Sequence, residues 1–197
     1  LSAHYALVLG LAAAAQAHDV PGSYNGSWWA RQSQNAQIAY VAGDTDCYSY
    51  EVLGTAFPAT GLSEQTATRV TQYLQRQPAE AELPLAISFR HIFAKDRHPR
   101  ATEETIGSAE YWPEEHGFFD GDYWYQLQGA GERTSYVAAY LACEATFRHK
   151  TMNHSVDYYV RAVNRWYGTR DDDENLNAAR ENEKIATVIQ RALRQQR

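Results

Sequence analysis

The chain has 197 residues, with 18 Lys and Arg against 24 Asp and Glu, giving a formal net charge of −6. Such an acidic balance repels phosphate backbones and argues against a nucleic-acid partner. No segment offers the roughly 20 consecutive apolar residues of a spanning helix, so stable membrane insertion is not expected either.

The first segment is an apolar run, Tyr5 to Ala17, closing in Ala15-Gln16-Ala17. A short apolar stretch with a small-x-small ending reads as a secretory signal, here lacking its charged start, with cleavage expected after Ala17. Residues 1–17 are therefore set aside from the fold, and a periplasmic or secreted location is expected. Residues 19–27, rich in Gly, Pro, Asn and Ser, read as an extended entry. A first long helix is expected from Trp28 to Leu53, because Tyr40 and Cys47, and Val41 and Tyr48, recur at a spacing of seven on one face. Gly54 to Gly61 holds Pro58 and reads as a loop. Ser63 caps a second helix that ends before Pro78, and Pro84 opens a third over Leu85–Ala94. Lys95 to His116 shifts to Asp, Arg, His, Pro and Glu and reads as a linker. Beyond it, helices are expected over Glu132–Phe147, Ser155–Tyr167 and Asn182–Arg194, with a solvated insertion from Gly168 to Asn175. No convincing strand pattern occurs, so the expected class is all-α.

The order of motifs in the first part returns in the second. Gly22-Ser23-Tyr24-Asn25-Gly26-Ser27-Trp28-Trp29 is answered by Gly117-Phe118-Phe119-Asp120-Gly121-Asp122-Tyr123-Trp124, and Tyr40-Val41-Ala42 by Tyr136-Val137-Ala138. Val70 to Leu74 finds Val163 to Tyr167, and Leu85-Ala86 finds Ile185-Ala186. Offsets that drift only by loop-sized amounts suggest a duplicated helical unit. The expected organisation is a first helical repeat over 18–95, a linker over 96–116 and a second repeat over 117–197, packed about a pseudo-twofold axis. Cys47 and Cys143 occupy equivalent places and could approach closely enough to bridge. Two buried thiols remain the alternative.

No nucleophile elbow, HExxH, P-loop or dinucleotide fingerprint is present, so no catalytic residue and no cofactor is assigned. The cysteines and histidines show no metal-ligand spacing, and no metal site is expected. Asp44 and Asp46, with Glu51 a turn or more further on, are paired carboxylates that could do acid–base work if burial separated their pKa values. A solvated helix edge is the ordinary reading of these acids. Trp28, Trp112 and Tyr123 lie beside loop or helix-start segments and are the candidate aromatic anchors for a protein partner.

Tyr40-Val41-Ala42-Gly43-Asp44-Thr45-Asp46 on a first helix, followed by Val70-Thr71-Gln72-Tyr73-Leu74-Gln75-Arg76-Gln77-Pro78 and an Ala/Leu/Phe helix, resembles the Rap/Tai-type immunity proteins. The resemblance covers roughly Trp28 to Phe93. It implies a small exported all-helical protein that neutralises a cell-wall amidase toxin delivered by type VI secretion. That family's toxin-binding residues lie on variable loops, so none is carried over. The expected function is a non-enzymatic interaction protein of inhibitor or immunity type. A periplasmic hydrolase or metal-dependent enzyme using Asp44, Asp46 and Glu51, and a structural envelope protein, are the alternatives.

Overall fold

A computed structural model describes residues 24–48, 62–93 and 119–195. Its described residues are all-α, with one isolated bridge between Asn25 and Pro84 in place of any sheet. The elements are α1 (Gly26–Trp29), α2 (Gln34–Tyr48), α3 (Leu62–Arg76), a 3₁₀ helix (Pro78–Glu82) and α4 (Leu85–Phe93). After the linker come α5 (Gly121–Gln126), α6 (Ala130–Arg148), α7 (Val156–Gly168), α8 (Glu174–Asn182) and α9 (Ile185–Arg194). The signal segment 1–17, the linker 96–116, Glu51 and Trp112 lie outside the described residues.

Local chemistry explains the boundaries. The Asn25 side chain accepts from the Trp28 amide at 2.9 Å and starts α1. The expected single helix from Trp28 is in fact divided, because Ser33 Oγ accepts from the Ala36 amide at 3.2 Å and caps a fresh start at α2. Gln37 bridges the break by donating to the Trp29 carbonyl at 3.0 Å. Pro78 ends α3 and opens the 3₁₀ turn that the sequence reading had not separated. His149, at φ 54°, closes α6 in the left-handed conformation. The expected insertion from Gly168 to Asn175 is exposed throughout, but a helix over Glu174–Asn182, not expected from the sequence, begins at its end. Asp173 caps it, accepting from the Asn175 amide at 2.8 Å.

The core is built on α2 and α6, which share the most extensive contact in the fold. Gly43 is the residue that permits it, since a Cβ there would sit 2.1 Å from the Tyr136 carbonyl oxygen. A few residues on, Cys47 and Cys143 are joined by a disulfide with Cα atoms 6.2 Å apart, and both are fully buried. Each of these two helices is buried along most of its central stretch because each is enclosed by others, α2 also by α3 and α6 also by α7 and α4. The outer helices α7 and α9 instead bury one face: Val156, Tyr159, Val160, Val163 and Tyr167 on α7, Ile185, Val188, Ile189 and Ala192 on α9.

Several contacts occur in matched form in residues 24–93 and 119–195. The Leu85 amide donates to the Tyr24 carbonyl at 2.8 Å, and the Ile185 amide to the Phe119 carbonyl at 2.8 Å. Trp29 Nε1 donates to Thr71 Oγ1 at 3.0 Å, and Trp124 Nε1 to Asn164 Oδ1 at 3.1 Å. Trp29 meets Tyr40 edge-on at 6.0 Å, and Trp124 meets Tyr136 edge-on at 6.3 Å. Trp29 and Trp124 lie just ahead of α2 and α6, each almost completely buried.

Replacing both cysteines with serine is expected to cost roughly 4–5 kcal/mol, the entropic value of closing a loop of about 100 residues. Urea denaturation of the oxidised chain against the double variant measures it. A loss below about 1 kcal/mol would mean that packing of α2 on α6, not the bridge, holds the halves together.

Candidate functional site

The chemically unusual residues gather on α2 and α6. Asp46 is fully buried and accepts a short hydrogen bond from the Tyr136 hydroxyl. Burial, then the Asp46 charge, pushes the Tyr136 phenol well above its ordinary range. Tyr123 is half-buried beside this pair, its ring 6.0 Å from Tyr136. Its phenol is pushed up to about 12, first by burial and then by Asp46 and Glu132. Glu144, also fully buried, meets Lys150 Nζ at 2.6 Å and accepts from the Gln190 side-chain amide, which also donates to the Tyr140 hydroxyl at 2.9 Å. These polar groups are paired across elements, so they specify how α9 and the segment after α6 sit on the core.

Asp44 is different. Only 8% exposed, it makes neither a hydrogen bond nor an ion pair with another described residue. Burial alone raises its carboxyl to about 7. Tyr40, one turn earlier, is fully buried, and its hydroxyl also lacks a partner. Burial and then the charge of Asp44 raise that phenol. The solvated helix edge expected for Asp44 and Asp46 is thus corrected: both face the interior, because α2 is enclosed by neighbours on both sides.

The structure brings Asp44 and Asp46 into one buried stretch of α2, but on different terms, one unpaired and one bonded to Tyr136. Trp28 and Tyr123 are half-buried and pack on the core, Trp28 with its ring 5.4 Å from Tyr40 and 4.9 Å from Tyr24. The large apolar side chains that stand most exposed among the described residues are Tyr125 and Leu176, neither singled out in the sequence. Glu144 was also missed. Its position within the apolar stripe Tyr140, Cys143, Phe147 was the available signal. Among the described residues no group of three or more His, Cys, Asp or Glu side chains is arranged to hold a metal ion, and no helix is long and apolar enough to cross a membrane.

No family model, curated protein or solved structure matches the chain.

The two central tyrosines should respond oppositely to loss of the hydroxyl. Tyr136→Phe leaves buried Asp46 without that donor and is expected to cost about 1.5–3 kcal/mol. Tyr40→Phe removes a buried hydroxyl without a partner and should be neutral or stabilising. Equal losses in urea denaturation would mean that the hydroxyl of Tyr40 is satisfied in solution.

Asp44 gives a pH dependence with a definite sign. Its folded pKa of about 7 lies above the ordinary value of 3.8, so the folded chain holds a proton there that the unfolded chain has released. This contribution to stability is complete below about pH 4, declines as pH rises toward about 7, and is absent above. Three pKa units correspond to about 4 kcal/mol as an upper figure. Asp44→Asn should therefore be more stable than the parent at about pH 8, with the difference shrinking to near zero at about pH 4. A difference that is constant across the range would place the titration elsewhere.

Proposed function

We propose that this chain is an exported, non-enzymatic helical interaction protein, made of two copies of one helical unit locked face to face. The observation that carries the reading is the buried Cys47–Cys143 bridge between the central helices, since structural disulfides of this kind belong to oxidising compartments. It agrees with the signal-like segment before His18 and with a periplasmic or secreted location. The matched contacts of Trp29 and Trp124, and of Tyr24 and Phe119 with the last helix of each half, support the duplication. An inhibitor- or immunity-type partner, a protein rather than a nucleic acid, is the specific form of this reading.

The enzymatic alternative draws less support from the geometry. Asp46 is committed to Tyr136, Glu144 to Lys150 and Gln190, and Asp44 is itself almost fully buried. A carboxylate that works on a substrate needs both a perturbed pKa and access, and the acids of α2 combine perturbation with enclosure.

Trp28→Ala separates binding from packing. Because its ring touches both Tyr24 and Tyr40, truncation should lower stability by about 2 kcal/mol. If Trp28 is also an anchor, affinity for a protein recovered from envelope extract should fall about thirtyfold beyond what the unfolded fraction explains. Lost stability with unchanged affinity would remove Trp28 from the interface, and recovery of no partner by the intact oxidised chain would favour the structural envelope protein.

A further inference from the structure

The two halves differ most on one face. In the second half, Arg133 lies over the Trp124 ring at 5.3 Å, donating from Nε to the Leu127 carbonyl at 2.8 Å and from Nη1 to Asn164 Oδ1 at 3.0 Å. Next to it Arg161 pairs with Asp157 at 3.0 Å, and Arg165 follows one turn later. The guanidinium of Arg133 thereby ties α6 to α7 through Asn164.

At the matching positions of the first half the three arginines are Gln37, Thr68 and Gln72. Gln37 turns back to the Trp29 carbonyl, and Thr68 bonds to the Glu64 carbonyl of its own helix at 3.0 Å. Neither fills the space, and a depression of about 270 Å³ remains between α2 and α3, lined by Gln34, Gln37, Glu64, Thr68, Thr71 and Gln72. Glu64 stands where Asp157 stands in the second half, yet it has only the neutral Gln34 amide at 3.2 Å and no cation among the described residues. The groove thus keeps the acid and the acceptors of its counterpart and lacks the cations.

We infer that this groove is a docking site for an arginine side chain of a protein partner, which takes the place that Arg133 fills internally in the other half. An arginine side chain fits the volume, its charge meets Glu64, and its planar donors suit the side-chain amide oxygens of Gln34 and Gln37, the Thr71 hydroxyl being already bonded to Trp29 and the Ala67 carbonyl. The inference names the partner chemistry for the interaction reading above and rests on it.

The test is a two-dimensional NMR titration of the full oxidised chain with N-acetyl-arginine methylamide, using the neutral citrulline analogue as control. Saturable shifts are expected at Gln34, Gln37, Thr68 and Thr71 at millimolar probe, with the citrulline analogue about fivefold weaker or worse. Glu64→Gln, an exposed change that leaves the core intact, should weaken the arginine probe by about fivefold. Gln37→Arg, which supplies the side chain of the second half, should abolish probe binding. Absence of saturation, equal response to citrulline, or unaltered binding in Glu64→Gln or Gln37→Arg overturns the inference. If the Gln37→Arg chain still captures a protein partner at full affinity, the groove assignment fails while the interaction reading stands.

Discussion

The contact between α2 and α6 governs the rest of this molecule. It depends on a close approach that only glycine allows at position 43, where the Tyr136 carbonyl occupies the space of a side chain. The Cys47–Cys143 bridge fixes the same two helices from further along. Once they are joined, each becomes an enclosed element, and a polar side chain buried along them is costly unless it finds a partner inside the protein. Asp46 finds Tyr136 and Glu144 finds Lys150 and Gln190. The outer helices then need only one apolar face each, which is what α7 and α9 present.

This arrangement also explains where the two halves part company. The aromatic frame of Trp29 and Tyr40 is matched by Trp124 and Tyr136, because the packing of α1 and α5 on the central helices demands large rings at those points. The polar groups are not matched. Asp46 has Ala142 as its counterpart, so Tyr136 gains a carboxylate and Tyr40 does not. Asp44 has Tyr140 as its counterpart, and there the hydroxyl is satisfied by Gln190. Buried polar asymmetry in an otherwise matched frame concentrates the strain in the first half, at Tyr40 and Asp44. On the surface the same half carries Gln37, Thr68 and Gln72 in place of Arg133, Arg161 and Arg165, and a depression lies beside them between α2 and α3.

A carboxyl that titrates near neutrality is often taken for a catalytic group. In this fold enclosure alone raises Asp44, and the same enclosure withholds it from solvent. The perturbation is therefore coupled to folding, through the proton that the packed chain retains, more directly than to chemistry on a small molecule.

The helices were legible in the sequence wherever local chemistry speaks: Pro78 at the end of α3, Pro84 before α4, and the apolar periodicity of α7 and α9. The all-α class follows from those signals. Local patterns misled where the deciding contact is distant. The expected continuous first helix breaks at Ser33 because Trp29 must turn inward to Tyr40 and Thr71, and the acidic run before Glu174 caps a helix whose presence only its seat against α5 and α7 reveals. Asp44 and Asp46 could be singled out from the sequence and Glu144 was not, and nothing local says which of the three is paired. By itself the sequence determined the helical character and the positions of most helix ends. Only the tertiary structure decided that α2 is enclosed, that among the described residues Asp46 is bonded while Asp44 is not, and that a groove stays open beside Glu64. Burial and pairing are properties of residues brought together from opposite ends of the chain, and periodicity within one helix carries no record of them.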